Sequence, residues 1–351
     1  MGRPETRLTV TELEERLGRL PRVPLAHLPT PLDEARRLTA RLGGPRILIK
    51  RDDLTGLALG GNKPRKLEFL MADALAQKAD AIVISAAAQS NMVRMTCAAA
   101  AKLGLDVHAV LRGTPDSEVQ GNLLLDLVFG AHITFIDTAD PYSRLSVDTM
   151  DRIMAELRAR GRRPYLIDMR YASGPLAAIG FVAASAELAR QLGERDLQPS
   201  HLFLGTGSGT TQAGLVLGAA LLGLPYHVVG ISVQQPADRM VPRIAEKVRG
   251  AAALLGLDAC PTDAAITVDD GYIGQAYGVP TAAGTEALKL LARSEGIVTD
   301  PVYTGKGLSG LIGWIRQGQL SPRDSVVFLH TGGAPGLFAQ GPALAQALRE
   351  G

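Results

Sequence analysis

The sequence predicts an α/β protein built from open parallel sheets with helices on both faces. Three observations lead to this prediction. Short β-rich apolar segments alternate with helical patterns, glycine-rich loops directly follow the strands, and no repeat or low-complexity linker interrupts the series. Such alternation is typical of βαβ units, whose crossover helices cover both faces of a parallel sheet. The chain has 351 residues, which is enough for two lobes with separate cores.

Apolar periodicity assigns the elements in order along the chain. In the first half, strands are predicted at 47–50, 81–86, 106–112 and 132–137, and helices at 65–77, 91–103 and 118–129. In the second half, strands are predicted at 201–205, 226–233 and 325–333, and a helix at 210–222. Ligands of such sheets bind beyond the carboxyl ends of the strands, so the loops after the strands are the candidate binding segments.

Composition and charge exclude several classes of protein. With 46% apolar and 21% charged residues, the chain is neither disordered nor fibrous. The net charge is +2 and no basic block occurs, so no nucleic-acid partner is expected. The first 20 residues lack the apolar run of a signal peptide, and no segment is apolar enough for a membrane span. We therefore expect a cytoplasmic protein without a membrane partner.

The cysteines and histidines indicate neither a disulfide framework nor a metal centre. Cys97 and Cys260 are the only cysteines, and Cys97 stands in an alanine-rich run that is typical of a small core residue. The six histidines are scattered and show no ligand spacing. No catalytic metal is expected.

A glycine-rich loop is the clearest binding motif. Residues 205–211, GTGSGTT, follow a predicted strand and open a predicted helix. Glycines let the backbone approach an anion closely, and the free amides of a helix start then bind it. The hydroxyl groups of Ser208, Thr210 and Thr211 add further donors. An ordinary capped turn is the alternative, but this density of glycines and hydroxyls favours a phosphate.

The spacing within this loop narrows the kind of phosphate. Gly207 is followed by Gly209, which departs from GxGxxG, and residues 228–233 hold no acid for a ribose. An NAD-dependent dehydrogenase is therefore disfavoured, and no GK[ST] follows for a Walker loop. A phosphate monoester fits, and pyridoxal phosphate (PLP) carries one.

A lysine after two glycines is the candidate reactive group. In GGNKPRKLEFL, Lys63 precedes Pro64, which suits the first turn of a helix. A lysine that forms a Schiff base needs space and a lowered pKa. The alternative is a surface helix start in which Lys63 and Lys66 are solvated. Only the phosphate loop makes the Schiff-base interpretation the stronger one.

Taken together, these motifs resemble the fold-type II PLP enzymes of the ACC deaminase/D-cysteine desulfhydrase family, and most closely its desulfhydrase-like branch. The resemblance covers nearly the whole chain in order, through segments 30–38, 49–70, 89–104, 205–218, 277–280, 295–312 and 330–338. It implies a two-domain fold like that of the tryptophan synthase β chain, with a small domain at 66–174 inserted into a large domain formed by 1–65 plus 175–351. It also implies a homodimer with the active site in the cleft between the domains.

Roles of individual residues follow from the same resemblance. Lys63 would be the Schiff-base lysine and the base for proton removal, Asn91 would bind the ring hydroxyl, and Thr304 would lie next to the pyridine nitrogen. The implied phosphate site is Gly207, Ser208, Gly209, Thr210 and Thr211. The implied substrate contacts are Gln89, Ser90, Asn91, Met92 and Tyr171. The implied catalytic residues are Lys63, Ser90, Tyr277 and Tyr303. Capping by Ser90 and core packing by the two tyrosines are the structural alternatives.

The implied reaction is α,β-elimination from a small β-substituted amino acid of the D-cysteine type, releasing sulfide, pyruvate and ammonia. Thr304 favours this reaction, because ACC deaminases carry a glutamate at that place. Met92, Met95 and Tyr171 depart from the desulfhydrase pattern, so the substrate could instead be cysteate or a thioether amino acid. ACC deaminase, L-cysteate sulfo-lyase and a PLP-binding protein without turnover are the alternatives.

Overall fold

A computed structural model describes residues 7–140, 143–169 and 173–349. Its strands are β1 (Leu32–Glu34), β2 (Arg46–Lys50), β3 (Ala81–Ala87), β4 (Asp106–Arg112), β5 (His132–Ile136), β6 (Pro164–Ile167), β7 (His201–Thr206), β8 (His227–Ser232), β9 (Thr267–Asp269) and β10 (Ser325–Leu329). Its helices are α1 (Val10–Leu17), α2 (Arg36–Leu42), α3 (Lys63–Ala76), α4 (Asn91–Leu103), α5 (Gly121–Val128), α6 (Arg144–Ala159), α7 (Gly174–Gly193), α8 (Thr210–Leu222), α9 (Ala237–Leu254), α10 (Ala282–Glu295), α11 (Thr304–Arg316), α12 (Ala334–Ala339) and α13 (Gly341–Arg349).

Two sheets organise the described part of the chain. The larger sheet has the strand order β1-β2-β10-β7-β8-β9, and the smaller has the order β5-β4-β3-β6. All pairings are parallel except β1 with β2. Separate apolar clusters cover the two faces of each sheet. The predicted α/β class with helix-flanked parallel sheets is confirmed.

Most predicted elements lie where the sequence placed them, with specific differences. The strand predicted at 325–333 ends at Leu329, so the residues that follow form a loop. The helix predicted at 118–129 is shorter and begins at Gly121. Strands β1, β6 and β9 were not predicted, and β1 gives the larger sheet an antiparallel edge.

The order of the strands supports the division into domains that we propose. All four strands of the smaller sheet lie between β2 and β7 of the larger one. An inserted domain at 66–174, flanked by 1–65 plus 175–351, accounts for this order. Helix α3 begins just before the proposed boundary and packs against α7 just after it. None of the helices in the described ranges combines the length and apolar character that crossing a bilayer requires.

Candidate active site

A cavity lies where strand ends from both sheets meet. It is lined by the carboxyl ends of β3, β4 and β7, the starts of α3 and α4, the loop after β7, and two tyrosines. The strand ends of parallel sheets are the expected place for a ligand. Lys63, Ser90, Asn91, Tyr277 and Tyr303 are all among the lining residues, so the fold brings together side chains from widely separated segments.

The backbone before Lys63 is shaped by two glycines. Gly60 and Gly61 have φ of 73° and 131°, a region that side chains other than glycine rarely adopt. The Thr55 hydroxyl donates to Gly61 O at 2.5 Å and accepts from Gly61 N at 3.0 Å. Pro64 then opens α3. These constraints place Lys63 at the start of the helix with its side chain in the cavity.

The amine of Lys63 lies among polar and aromatic neighbours. Lys63 Nζ donates to Asn62 Oδ1 at 2.7 Å and is 5.8 Å from the centroid of the Tyr303 ring. Burial, together with the positive charge of Arg94, lowers the pKa of Lys63 to about 8. A lysine in this state supplies a neutral amine near pH 8, which nucleophilic attack and proton removal both require.

The glycine-rich loop links β7 to α8 beside Lys63. Gly209 has φ of 78°, and a Cβ there would lie 2.6 Å from Ile244 Cγ1. A Cβ on Gly207 would lie 3.0 Å from a ring carbon of Tyr303. Helix α8 begins without a side-chain cap, which leaves its first amides available. Asn62 Nδ2 donates to Thr211 Oγ1 at 3.1 Å and so connects the loop to the lysine segment.

Two buried lysines that the motif reasoning missed face the same cavity. Lys66 is 2% exposed and Lys247 is 3% exposed. Lys66 Nζ has no hydrogen-bond acceptor among the described residues, and burial lowers its pKa well below the ordinary value. The alternative interpretation, in which Lys66 is solvated at a surface helix start, is therefore wrong. The sequence could have indicated Lys66 through its spacing from Lys63, because residues three apart lie on the same face of a helix.

The start of α4 presents Ser90 and Asn91 to the cavity. The Ser90 hydroxyl caps the helix by accepting from Met92 N at 3.2 Å and Val93 N at 3.3 Å. Capping is therefore present, and it is compatible with binding an anion at the same helix end. The Asn91 side chain accepts hydrogen bonds through its oxygen and lines the cavity.

The Gln89 side chain is engaged elsewhere. Gln89 Nε2 donates to Gln120 O at 3.0 Å, and Gln89 Oε1 accepts from Asn122 N at 2.9 Å. Gln89 is also absent from the residues that line the cavity. Its contact with substrate stays a prediction, and the geometry favours Ser90 for that role.

Tyr277 and Tyr303 form a pair. Their hydroxyl oxygens are 2.8 Å apart, and their rings meet edge to face with centroids 5.9 Å apart. Burial raises the pKa of both hydroxyls, so they remain protonated at neutral pH. The loop of Tyr277 is held by Lys306, whose Nζ donates to Ile273 O at 2.7 Å. The pair supplies protonated hydroxyl groups on residues that line the same cavity as Lys63.

Thr304 lies behind the cavity wall. It is fully buried, its hydroxyl donates to Asp300 Oδ1 at 2.6 Å, and it accepts from Asp300 N at 2.7 Å. Asp300 also accepts from the amides of Val302 and Tyr303 at 2.9 Å each. Thr304 and Thr210 do not line the cavity. The placement of Thr304 beside the pyridine nitrogen stays a prediction, and Asp300 is a buried acid that the motif reasoning missed.

The three departures from the family pattern differ in position. Met92 lines the cavity. Met95 is fully buried behind it, against Gly61. Tyr171 lies outside the described residues. Of the two departures that the structure describes, Met92 is the one placed where it can contact a substrate directly.

Comparisons with known proteins agree on the family. A family model described as pyridoxal-phosphate dependent enzyme matches residues 23–332. A D-cysteine desulfhydrase of Yersinia pestis (strain Pestoides F) is 41% identical over 338 residues, which is 94% of this chain and 99% of that protein. A D-cysteine desulfhydrase of Klebsiella pneumoniae (strain 342) is 40% identical over 336 residues, covering 94% and 99%.

Solved structures resemble the whole chain. The crystal structure of an ACC deaminase homologue superposes with a TM-score of 0.87 at 34% identity, covering 99% of this chain and 100% of that one. Diaminopropionate ammonia lyase of Escherichia coli in its apo form gives a TM-score of 0.64 at 16% identity, with coverages of 100% and 93%, and shows the fold alone. The predicted fold-type II architecture is thereby confirmed.

Proposed function

Because the chain belongs to the family of pyridoxal-phosphate dependent enzymes, we propose that it is a lyase that uses PLP for α,β-elimination from a small β-substituted amino acid of the D-cysteine type. The products are sulfide, pyruvate and ammonia. The observation that carries this proposal is the amine of Lys63, with its lowered pKa, in a cavity that also contains a glycine-rich loop and paired tyrosines.

The cavity fits the phosphate group of PLP. The start of α8 has no side-chain cap, and Gly207 carries no side chain that could stand between an anion and the backbone amides. Lys66 and Lys247 carry buried amines at the same cavity, and Lys66 has no acceptor within the described ranges. A bound dianion would supply that acceptor, and burial of an unpaired amine is otherwise costly. These residues would hold the phosphate.

Different residues of the chain have different roles in the proposed reaction. When bound, PLP serves as the electron sink that makes the α-proton of an amino acid removable. Lys63 is the base for that proton, and Tyr303, through its bond to Tyr277, donates a proton to the departing sulfur. Ser90 and the start of α4 bind the substrate carboxylate.

A substrate panel tests the proposal. The purified protein, loaded with PLP, is mixed separately with D-cysteine, L-cysteine, L-cysteate, β-chloroalanine and ACC. Sulfide and pyruvate from D-cysteine at the highest kcat/KM are the expected result. Preference for cysteate would move the assignment to a sulfo-lyase. The absence of turnover with every compound would leave a PLP-binding protein and contradict the proposed lyase.

ACC deaminase is the second candidate, because the solved structure with the TM-score of 0.87 is of an ACC deaminase homologue. Release of 2-oxobutyrate from ACC in the same panel identifies this activity. Thr304 counts against it, since its hydroxyl is already bound to Asp300. A hydroxyl cannot hold a positive charge on a neighbouring ring nitrogen as a carboxylate does.

The uptake of PLP by the apoprotein should depend on pH with a midpoint near the pKa of Lys63. Only the neutral amine reacts, and burial lowers this pKa from 10.5 to about 8. Below pH 8 the rate should rise about tenfold per pH unit, and above pH 8 it should level off. Stopped-flow absorbance at a series of pH values measures the rate. A midpoint near the ordinary value of 10.5 would contradict the lowered pKa.

The assembly and location follow as further parts of the proposal. We propose a cytoplasmic homodimer. Helices α5 and α12 pack together and expose several apolar side chains, namely Leu124, Leu127, Val128 and Phe338. Apolar side chains grouped on a surface in this way are typical of an interface. Light scattering of the purified protein measures its mass, and a monomer at all concentrations would contradict the dimer.

A further inference from the structure

Two buried side chains, a guanidinium group and an amide, lie directly behind Asn91 and form a hydrogen-bonded network with it. Arg94 and Asn122 are both fully buried. Arg94 Nη1 donates to Asn122 Oδ1 at 2.8 Å and to Asn91 Oδ1 at 3.3 Å, and Asn122 Nδ2 donates to Asn91 Oδ1 at 3.1 Å. The oxygen of Asn91 therefore faces two donors from inside the protein.

The orientation of each amide in this network follows from its neighbours. A guanidinium group can only donate, so the atom of Asn122 that faces Arg94 must be its oxygen. The nitrogen of Asn122 then faces Gln89 O at 3.0 Å, and a carbonyl can only accept. The contacts with Arg94 and with Gln89 thus require the same orientation of the Asn122 amide. Asn91 must accordingly present its oxygen inward, because a reversed amide would place its nitrogen against two donors.

With its oxygen turned inward, the Asn91 amide presents its Nδ2 group to the cavity. Asn91 lines the cavity, and its Nδ2 group finds no acceptor within the described ranges. We propose that Arg94 and Asn122 are positioning residues, which fix the Asn91 amide so that the cavity receives a hydrogen-bond donor and never an acceptor. This inference rests on the proposed function, in which that donor serves the ionised ring oxygen of PLP.

The same network connects Asn91 to the lysine segment. Arg94 Nη2 donates to Gly60 O at 3.0 Å, three residues before Lys63. Arg94 therefore joins the start of α4 to the backbone that places the lysine. Arg94 Nη1 and Asn122 hold the donor side chain, while Arg94 Nη2 holds the segment that carries the amine. Loss of either positioning residue should change the absorbance of the bound cofactor as well as the rate.

The test is a pH titration of the visible absorbance of the PLP-loaded protein. A hydrogen-bond donor to the ring oxygen of PLP stabilises the ionised form of that oxygen. Loss of the donor therefore raises the pKa of the proton held between the ring oxygen and the nitrogen of Lys63. Asn91→Ala should raise this pKa by about one to two units. Asn122→Asp should change this pKa in the same direction, because the oxygen that replaces Asn122 Nδ2 is an acceptor and favours the reversed Asn91 amide.

A double variant separates positioning from a simple effect of charge. The carboxylate introduced by Asn122→Asp would also raise the pKa through its charge, and that effect would persist without Asn91. We expect Asn122→Asp to add no further shift in the Asn91→Ala background, since residues acting through one group are not additive. A full additional shift in that background would overturn the positioning role.

Two more variants control for folding. Asn122→Ala introduces no charge and should produce a smaller shift in the same direction, because Arg94 still donates to Asn91. Gln120→Ala alters the same end of α5, where Gln120 donates to Ala339 O, and should titrate as wild type. Wild-type titration of both Asn122 variants, or of Asn91→Ala, would overturn the inference. A wild-type protein that lacks the visible band would instead overturn the cofactor assignment, and the inference with it.

Discussion

Replacing Lys63 with alanine is expected to lower kcat/KM for elimination by about 10⁴-fold and to abolish the visible absorbance of the PLP-loaded protein. The amine of Lys63 is the one whose pKa of about 8 suits both attachment of the cofactor and removal of the α-proton. Lys66 and Lys247 are buried at the same cavity and are proposed to hold the phosphate, so neither is expected to replace it.

The control for this experiment is Lys102→Ala. Lys102 is exposed in the last turn of α4, so its removal should leave both rate and absorbance unchanged. Mass spectrometry after borohydride reduction of the wild type identifies the residue that carries PLP. Persistence of the absorbance band in Lys63→Ala, or reduction of PLP onto another lysine, would show that the reactive amine lies elsewhere.

Replacing Asp52 with alanine is expected to lower the free energy of unfolding by about 3–5 kcal/mol. Asp52 is fully buried and accepts two hydrogen bonds from Arg65, each of 2.8 Å. Burial alone would lower the pKa of Arg65, but Asp52 and Glu187 raise it above its ordinary value. Without Asp52, Arg65 would remain in the interior with only part of its charge compensated.

Urea denaturation of the apoprotein measures this loss, and an exposed ion pair provides the control. Glu286 and Arg316 form a pair whose side chains are about half exposed. Glu286→Ala should cost less than about 1 kcal/mol, since exposed pairs contribute little. Equal costs for the two substitutions would contradict the role of burial in the Arg65 network.

The sequence predicted the elements well where apolar segments are long and bounded by glycine. Helices α4 and α8 begin and end at the predicted residues. Strands β1 and β9 have three residues each, which is too short for periodicity to indicate them, and β6 begins at a proline. The short strands depend on neighbours in the sheet that are distant along the chain.

The site was predicted through its motifs, and the contacts among the motifs were not. Tyr277 and Tyr303 were each expected to face the substrate, yet their shared hydrogen bond depends on how two loops meet. Asp300 was missed because an acid followed by proline has no motif of its own. Arg65 pairs with Glu187, 122 positions away, and no local pattern relates the two.

The two faces of α3 bear on how this fold can acquire new substrates. Lys63 and Arg65 are two residues apart, so they point to opposite sides of the helix. Lys63 faces the cavity, whereas Arg65 is bound on the far side by Asp52 and Glu187. The contacts that stabilise the helix carrying the amine thus lie on the side opposite the substrate. Residues such as Met92 can vary during evolution, and selectivity can change with them, while the reactive group stays in place.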